Sequence, residues 1–194
     1  MTRLPAILST RDLPLAELCA ARIDGELHAV GGGWAVFDEP DRAELRAVAT
    51  AMRAPRELVV TGLSAAWVLG AVDVEPPVAV LCRPIGERTT QVTGPGLEVR
   101  ELQLEPEEIV EIGGVRCTGP DRTALEVLRD PRLDDVVAIA TVASLETRSP
   151  GLAARLGRRL SASAHYPHKA LAVRRLARVA EPAGAAGAQP SLTR

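Results

Sequence analysis

The spacing of apolar and polar positions predicts a small winged-helix module at the start of the chain. Ser9–Asp12, with the carboxylate reaching back to the serine, predicts the start of a short first helix, and a second helix is predicted from Pro14 to about Asp24. Apolar residues that recur on one face of this helix are Leu15, Leu18, Cys19 and Ile23. Two short apolar runs, 27–30 and 34–37, then flank three glycines and predict a hairpin. This order of elements is that of a winged helix-turn-helix.

The rest of the chain predicts a mixed domain in which strands come early and helices come late. The predicted strands are 58–61, 78–83, 91–93, 97–104, 109–112 and 115–118. The predicted helices are 42–52, 64–69 with Ser64 as its cap, 121–128, 133–146, 152–160 and 169–179. The fold class is therefore predicted to be α+β. We expect a winged-helix-like module at residues 1–40, an α+β domain at 41–180 that ends in helices, and a disordered tail at 181–194.

Composition narrows the class of protein. A hydrophobic content of 46% supports a packed core, and no apolar run is long enough to span a membrane. The three cysteines, Cys19, Cys82 and Cys117, are widely spaced and are predicted to be buried free thiols in a reducing compartment. We therefore expect a cytoplasmic protein that does not bind membranes. Four aromatic residues are too few for single-strand binding by base stacking.

Charge is distributed very unevenly along the chain. Residues 1–146 hold 14 basic and 24 acidic side chains, whereas residues 147–194 hold 9 basic and 1 acidic. The overall net charge of −2 thus conceals a polarised molecule. A concentrated positive face attracts an anionic partner, either nucleic acid or an acidic protein surface.

The candidate partner-binding or phosphate-binding residues are eight cations in or near the last two predicted helices. They are Arg148, Arg155, Arg158, Arg159, Lys169, Arg174, Arg175 and Arg178. In the helix at 152–160, leucines repeat every four residues, so we expect its arginines to project from the other side. A solvated face neutralised by the acidic body of the same protein is the competing interpretation.

Motifs of catalysis or cofactor binding are not found. His165 and His168 have no cysteine or carboxylate at ligand spacing, so they predict no metal site. The glycines at 31–33 lack the lysine of a phosphate-binding loop. Metal-dependent phosphoryl chemistry would need clustered carboxylates that the sequence lacks. We therefore expect a protein that is not an enzyme and has no cofactor and no small-molecule substrate.

The glutamates at 105, 107 and 108 are interpreted as solvated, and Arg122 is expected to pair with Glu126.

Several segments, taken in order, resemble actinobacterial members of the AbiEi antitoxin family of type IV toxin–antitoxin systems. They are residues 4–13, 24–27, the hairpin at 31–36, 63–70, and Gly113–Thr118 followed by Arg122, Thr123 and Arg129. The basic segment 169–178 is similar to the last helix of the family. The resemblance covers nearly the whole chain from Leu4 to about Ala180. It implies an N-terminal winged helix for DNA and a C-terminal domain that opposes a nucleotidyltransferase toxin. It also implies repression of the protein's own operon.

The DNA-binding part of that resemblance meets an electrostatic obstacle. Its candidate residues are Arg11, Arg22 and His28. Residues 9–40 nevertheless hold two arginines against six carboxylates, and such a surface repels a phosphate backbone. The helical periodicity places Arg22 on the apolar face and Glu17 and Asp24 outward. A structural or protein-contacting role of the winged helix is therefore favoured over direct DNA reading.

Two functions remain open from sequence. The first is a non-enzymatic antitoxin-like protein that binds and neutralises a toxin and also represses its own promoter. The alternative is a stand-alone DNA-binding transcriptional regulator without a toxin partner. The two differ in whether the main partner is a neighbouring protein or upstream DNA.

Overall fold

Residues 5–87, 94–162 and 166–180 are described by the computed structural model of the chain. The predicted strand at 91–93, His165 and the predicted tail at 181–194 lie outside these residues. Within the described part the fold is α+β, as predicted from sequence. It comprises a small antiparallel sheet with one helix, a mixed five-stranded sheet, and a group of closing helices.

The first elements form the winged-helix-like module. Strand β1 (Ile7–Leu8), helix α1 (Leu15–Ile23), and strands β2 (Leu27–Val30) and β3 (Gly33–Val36) follow in that order. The three strands are antiparallel in the order β1-β3-β2. Before α1, the carboxylate of Asp12 accepts hydrogen bonds from the amide and the hydroxyl of Ser9, both at 2.8 Å. Residues 9–13 form a single hydrogen-bonded turn, so the short first helix predicted from sequence is not found between β1 and α1.

The second part of the chain builds the mixed sheet. It contains α2 (Ala43–Ala51), β4 (Val59–Val60), α3 (Gly62–Val68), β5 (Ala79–Pro84), β6 (Leu97–Leu102), a 3-10 turn at Pro106–Glu108, β7 (Ile109–Ile112) and β8 (Val115–Thr118). The strand order is β6-β5-β4-β8-β7, with β4 parallel to β8 and β5 parallel to β6. Ser64 does not cap α3, contrary to prediction. Ser64 lies within the span of the helix, and its hydroxyl accepts a hydrogen bond from the amide of Val80 at 2.9 Å.

Four closing helices pack on one another around an aliphatic core. They are α4 (Pro120–Arg129), α5 (Asp135–Arg148), α6 (Leu152–Ala162) and α7 (Lys169–Ala180). The leucine seam predicted for α6 is confirmed, because Leu152, Leu156 and Leu160 are each no more than 1% exposed. They meet buried side chains of α4 and α5 in one cluster.

The winged-helix-like module shares its core with the mixed sheet. Ile7, Val30 and Ala35 belong to the same buried cluster as Leu45 and Leu81 of the following part. Side chains from both segments therefore shield one another from water. The boundary near residue 40 stays a prediction.

The thiols divide into two kinds. Cys82 and Cys117 are fully buried in the mixed sheet, and burial raises the pKa of each thiol to about 12. Both are therefore unreactive at neutral pH. Cys19 lies on the exposed side of α1, so the prediction that it is buried is wrong. Among the described helices, none combines the length and apolarity needed to cross a membrane.

Candidate functional site

The closing helices do not offer all of their cations to the outside. Helical periodicity directs some side chains toward the protein's own carboxylates and leaves others at the surface. The candidate residues accordingly fall into an inward set, which is Arg155, Arg159 and Arg175, and an outward set, which is Arg148, Arg158, Arg174 and Arg178. Lys169, at the start of α7, is half-buried.

Arg175 is a structural residue. Its side chain is 2% exposed, and its Nε donates to Asp135 Oδ1 at 2.7 Å. The Nη1 group donates to the carbonyl oxygens of Leu128 at 3.1 Å and Asp130 at 2.8 Å, and Nη2 donates to that of Leu133. These acceptors lie at and beyond the end of α4, where helical carbonyls lack partners in their own helix. The prediction that Arg175 binds an external partner is therefore wrong.

Arg155 and Arg159 are also engaged within the protein. Arg155 forms a forked pair with Asp121, in which Nε and Nη2 each donate at 2.7 Å. This hydrogen bond raises the pKa of the Arg155 guanidinium. Arg159 contacts Glu108 at 2.6 Å and donates to the hydroxyl of Tyr166 at 3.1 Å. Neither arginine extends from α6 unpaired, contrary to the expectation from sequence.

Glu108 joins three separate parts of the fold. Besides Arg159 of α6, its carboxylate contacts Arg122 of α4 at 2.9 Å and accepts a hydrogen bond from the Glu105 amide at 3.1 Å. Arg122 also pairs with Glu126 at 2.9 Å, and this predicted pair is confirmed. Glu108 is 11% exposed in its side chain, so its interpretation as a solvated residue is wrong.

Sequence reasoning missed Glu108 because its two charged partners, Arg122 and Arg159, lie 14 or more residues away and on different elements. A local signal was present in α4. Arg122 and Glu126 are one turn apart on a helix whose neighbouring positions are apolar, and both are at most 6% exposed. Charged residues at such positions are paired when they are buried. This rule could have indicated that a further carboxylate was needed beside Arg122.

The outward arginines of α7 form the strongest exposed positive feature among the candidates. Arg174 and Arg178 are one turn apart, and their side chains are 64% and 51% exposed. Both approach Asp135 Oδ2 at 3.7 Å, while the other oxygen of Asp135 is held by Arg175. Three guanidinium groups thus share one carboxylate, and together they lower the pKa of Asp135, chiefly through the Arg175 hydrogen bond. We call Arg174 and Arg178 the α7 basic edge.

The remaining outward arginines lie elsewhere on the closing helices. Arg158 is exposed on α6, and Arg148 is exposed at the end of α5. The guanidinium of Arg148 lies over Gly70, at which a Cβ would be 3.4 Å from it. Neither arginine has an ion pair within the part of the chain that the structure describes. Both add to the positive charge of this half of the molecule.

Among the candidate DNA-binding residues, Arg22 is positioned differently from the prediction. Arg22 is exposed, and so is Arg11 at the rim of a cleft of about 540 Å³ beside α2. Leu15 and Ile23 of α1, predicted to be buried, are 55% and 84% exposed. His28 is half-buried and meets Phe37 edge-on, with ring centroids 6.4 Å apart. Of the four residues of the predicted apolar face of α1, Leu18 is buried as expected, and the inward assignment is wrong for the other three.

The tip of the wing hairpin is attached to the body of the protein. Gly31 donates its amide to Glu75 Oε2 at 2.7 Å and accepts from Arg53 Nη2 at 2.7 Å. Gly32 donates to the carbonyl of Ala49 at 2.9 Å. These contacts hold the turn of the hairpin against α2 and its surroundings. The turn is therefore not free to reach a nucleic-acid backbone.

The described residues contain no group of three or more histidine, cysteine, aspartate or glutamate side chains that could hold a metal ion. The buried ionic groups around Glu108 pair with one another and cross-link helices. The arrangement is suited to holding a shape and presenting a charged surface.

Comparisons with known proteins support the fold. No family model and no curated protein matches the chain. Among solved structures it is similar to the RV2827C protein from Mycobacterium tuberculosis, with a TM-score of 0.50 and 18% identity. The match covers 92% of this chain and 74% of that one. At this identity the likeness establishes a shared winged-helix-like α+β fold and does not extend to function.

Proposed function

We propose that the protein is a non-enzymatic, antitoxin-like protein that binds and neutralises a nucleotidyltransferase-type toxin. The observation that carries the proposal is the α7 basic edge, where two exposed arginines share one carboxylate that Arg175 already holds. The resemblance of segments along the chain to the AbiEi antitoxin family supports the same conclusion.

The chemistry of the partner fits this surface. An enzyme that transfers nucleotidyl groups holds its metal ions with carboxylates, so part of its surface is acidic. Exposed arginines bind carboxylates with forked hydrogen bonds and accelerate association when the partner carries opposite charge. Neutralisation by occlusion needs only such a surface and no reaction in this chain.

The test is co-expression with the protein encoded beside it, scored by growth rescue and co-purification. In the double variant Arg174→Glu/Arg178→Glu we expect affinity for the toxin to fall by at least about tenfold at low salt. The matched control is Arg42→Glu/Arg56→Glu, which makes the same change in net charge at two exposed residues of the other half. Affinity that is unchanged in the α7 variant would rule out this surface.

A stand-alone DNA-binding regulator is the second candidate, and one observation favours it. Arg22 is exposed on α1, where it is available to a phosphate. Against it, Glu17 and Asp24 are exposed on the same helix and the wing tip packs toward α2. A gel shift on the upstream DNA at two salt concentrations tests this candidate. Tight binding that is lost in Arg11→Ala or Arg22→Ala would favour the regulator.

A further inference from the structure

Helix α5 has an outward side without charge. Residues 136–145 contain no charged side chain. The exposed residues of this helix recur at spacings of four, three and four, so they lie on one side of it. They are Val136, Ala140, Ala143 and Thr147. We call these four residues the α5 outer face. The opposite side of α5 packs into the aliphatic core of the closing helices through Ala138 and Leu145.

Such a side is unusual for a helix at a surface that faces water. Solvent-facing positions of a helix normally carry charged or polar side chains, and a helix that is apolar all round is normally buried. Val136 is 69% exposed, and the adjacent Val137 is 44% exposed. The exposed sides of α6 and α7, by contrast, carry arginines such as Arg158 and Arg174. The composition of α5 therefore indicates that a partner covers its outer face.

The α7 basic edge lies at the N-terminal end of the α5 outer face. Arg174 and Arg178 approach the carboxylate of Asp135, which is the residue directly before Val136. A partner that covers the α5 outer face therefore comes close to two exposed guanidinium groups. It needs apolar side chains for α5 and carboxylates for α7.

A second copy of this chain does not supply those carboxylates through α5. Asp135 is held by Arg175 at 2.7 Å, and Asp134 caps the helix by accepting from the amide of Val136 at 2.7 Å. Glu146 accepts from two amides at the start of α6, at 2.7 and 2.6 Å. Pairing of α5 with α5 would bury the apolar residues but leave the α7 basic edge without an acidic partner. A phosphate backbone has the charge but no apolar side chains to cover the valines. The surface is therefore suited to a different protein that is both apolar and acidic.

We propose that the toxin bound by the α7 basic edge also covers the α5 outer face, using an apolar segment that is bordered by carboxylates. This inference rests on the proposed function and extends its surface from one helix to two. The apolar contact supplies affinity that salt does not screen, and the charged contact orients the toxin as it arrives.

Arginine substitutions on α5 separate contact from charge. The variant Ala140→Arg/Ala143→Arg adds two positive charges and two long side chains in the middle of the α5 outer face. Added positive charge favours an acidic toxin, so affinity would be unchanged or higher if the toxin did not touch α5. If the toxin covers α5, the long side chains prevent close packing. We expect affinity to fall by at least about tenfold, measured by titration calorimetry with the protein encoded beside this one.

The matched control is Ala16→Arg/Ala20→Arg on α1. It replaces two exposed helical alanines with the same residue and makes the same change in net charge. Arginine has a helix propensity close to that of alanine, so circular dichroism of both variants should match that of the unchanged protein. The control should bind the toxin as the unchanged protein does.

Salt gives a second measurement that tells the two contacts apart. The loss of affinity in Ala140→Arg/Ala143→Arg should be similar at about 50 and about 500 mM salt, because packing is not screened. The loss in Arg174→Glu/Arg178→Glu should shrink over the same range. In the absence of toxin, sedimentation velocity should show a monomer.

The outcomes divide between the two proposals. If the toxin binds and Arg174→Glu/Arg178→Glu weakens binding while Ala140→Arg/Ala143→Arg does not, only the further inference is wrong. If only the α5 variant weakens binding, the toxin does not join the two surfaces, and the inference is wrong in its charged half. A dimer that dissociates in Ala140→Arg/Ala143→Arg would mean that a second copy covers α5 and would also overturn it. If the unchanged protein binds no toxin, the proposed function fails first and the inference fails with it.

Discussion

At the scale of single residues, neighbouring arginines of α7 have opposite roles. Arg175 is buried and holds Asp135 and the carbonyls beyond α4, whereas Arg174 is 64% exposed with one carboxylate at 3.7 Å. The two side chains point about 100° apart on the helix. Removing the side chain of Arg175 leaves several buried acceptors without a hydrogen-bond donor. When the side chain of Arg174 is removed, water takes its place.

We therefore expect Arg175→Ala to lower the free energy of unfolding by about 3–5 kcal/mol. Arg174→Ala should lower it by less than about 1 kcal/mol, because an exposed and distant pair contributes little. Urea unfolding followed by circular dichroism measures both, and each variant serves as the control of the other. Equal losses of stability would contradict the burial of Arg175.

Glu108 makes stability depend on pH in a defined direction. Its burial opposes ionisation, but the Glu105 amide and the guanidinium groups of Arg122 and Arg159 outweigh this and lower its pKa below 4.5. Because folding lowers this pKa, the contribution to stability is complete above pH 4.5. It is lost as the pH falls below that value and through the lowered pKa.

We expect Glu108→Gln to be destabilised at about pH 7 and to lose less further stability than the unchanged protein when the pH is lowered to about 3. The control is Glu107→Gln, which alters an exposed carboxylate of the same 3-10 turn. Urea unfolding at a series of pH values measures the difference. A Glu108→Gln profile parallel to that of the unchanged protein would show that Glu108 does not titrate with folding.

The sequence could have predicted the direction of Arg175 but not that of Glu108. Ala172 and Leu176 mark the buried side of α7, and Arg175 lies about 60° from Ala172 on the helical wheel. The prediction failed because arginine was assumed to face water. The partners of Glu108 depend on how α4 and α6 approach the 3-10 turn before β7, and this tertiary arrangement leaves no periodic signal in the chain.

At the scale of elements, strong periodicity and turn residues located most helices and strands. The strands at 109–112 and 115–118 and the leucine seam of α6 follow directly from alternation and from four-residue spacing. Strand β1 was missed because two residues carry no period. The apolar face of α1 was misassigned because an apolar stripe was taken to be buried, whereas Ile23 is 84% exposed.

The attachment of the wing turn to α2 gives a prediction at this scale. Gly31 has φ of +55°, and a Cβ there would meet the carbonyl oxygen of Ala49 at 2.3 Å. We expect Gly31→Ala to lower the free energy of unfolding by more than about 3 kcal/mol, because a clash is added to the cost of a positive φ. Gly25→Ala isolates the second effect, since its φ is +77° and no atom lies within 4 Å of its Cβ.

For Gly25→Ala the expected loss is about 1–2 kcal/mol, the cost of the backbone conformation alone. Thermal unfolding of both variants, compared at the same temperature, measures the difference. If the two substitutions cost the same, the turn is not pressed against α2. In that case the wing would be free to contact a partner such as DNA.

At the scale of the whole molecule, charge polarity could be read from the sequence but topology could not. The net charge changes sign near residue 147, and counting charged residues is enough to find this. In the fold, the exposed arginines of α7 keep part of that positive charge at the surface. The parallel pairing of β4 with β8 joins strands that are more than fifty residues apart. The sharing of one core by the winged-helix-like module and the mixed sheet likewise depends on long-range packing.

The polarity predicts behaviour that the net charge does not. With an isoelectric point of about 6.0, the protein carries net negative charge at pH 7.5, so a uniform charge distribution would prevent binding to a sulfonate cation exchanger. We expect retention at low salt, because the outward arginines of the closing helices form a local positive surface. Arg174→Glu/Arg178→Glu should elute at lower salt than Arg42→Glu/Arg56→Glu. Both double variants have the same net charge, so a difference in elution reports only where the charge lies. Identical elution would mean that the positive half of the sequence does not form a positive face.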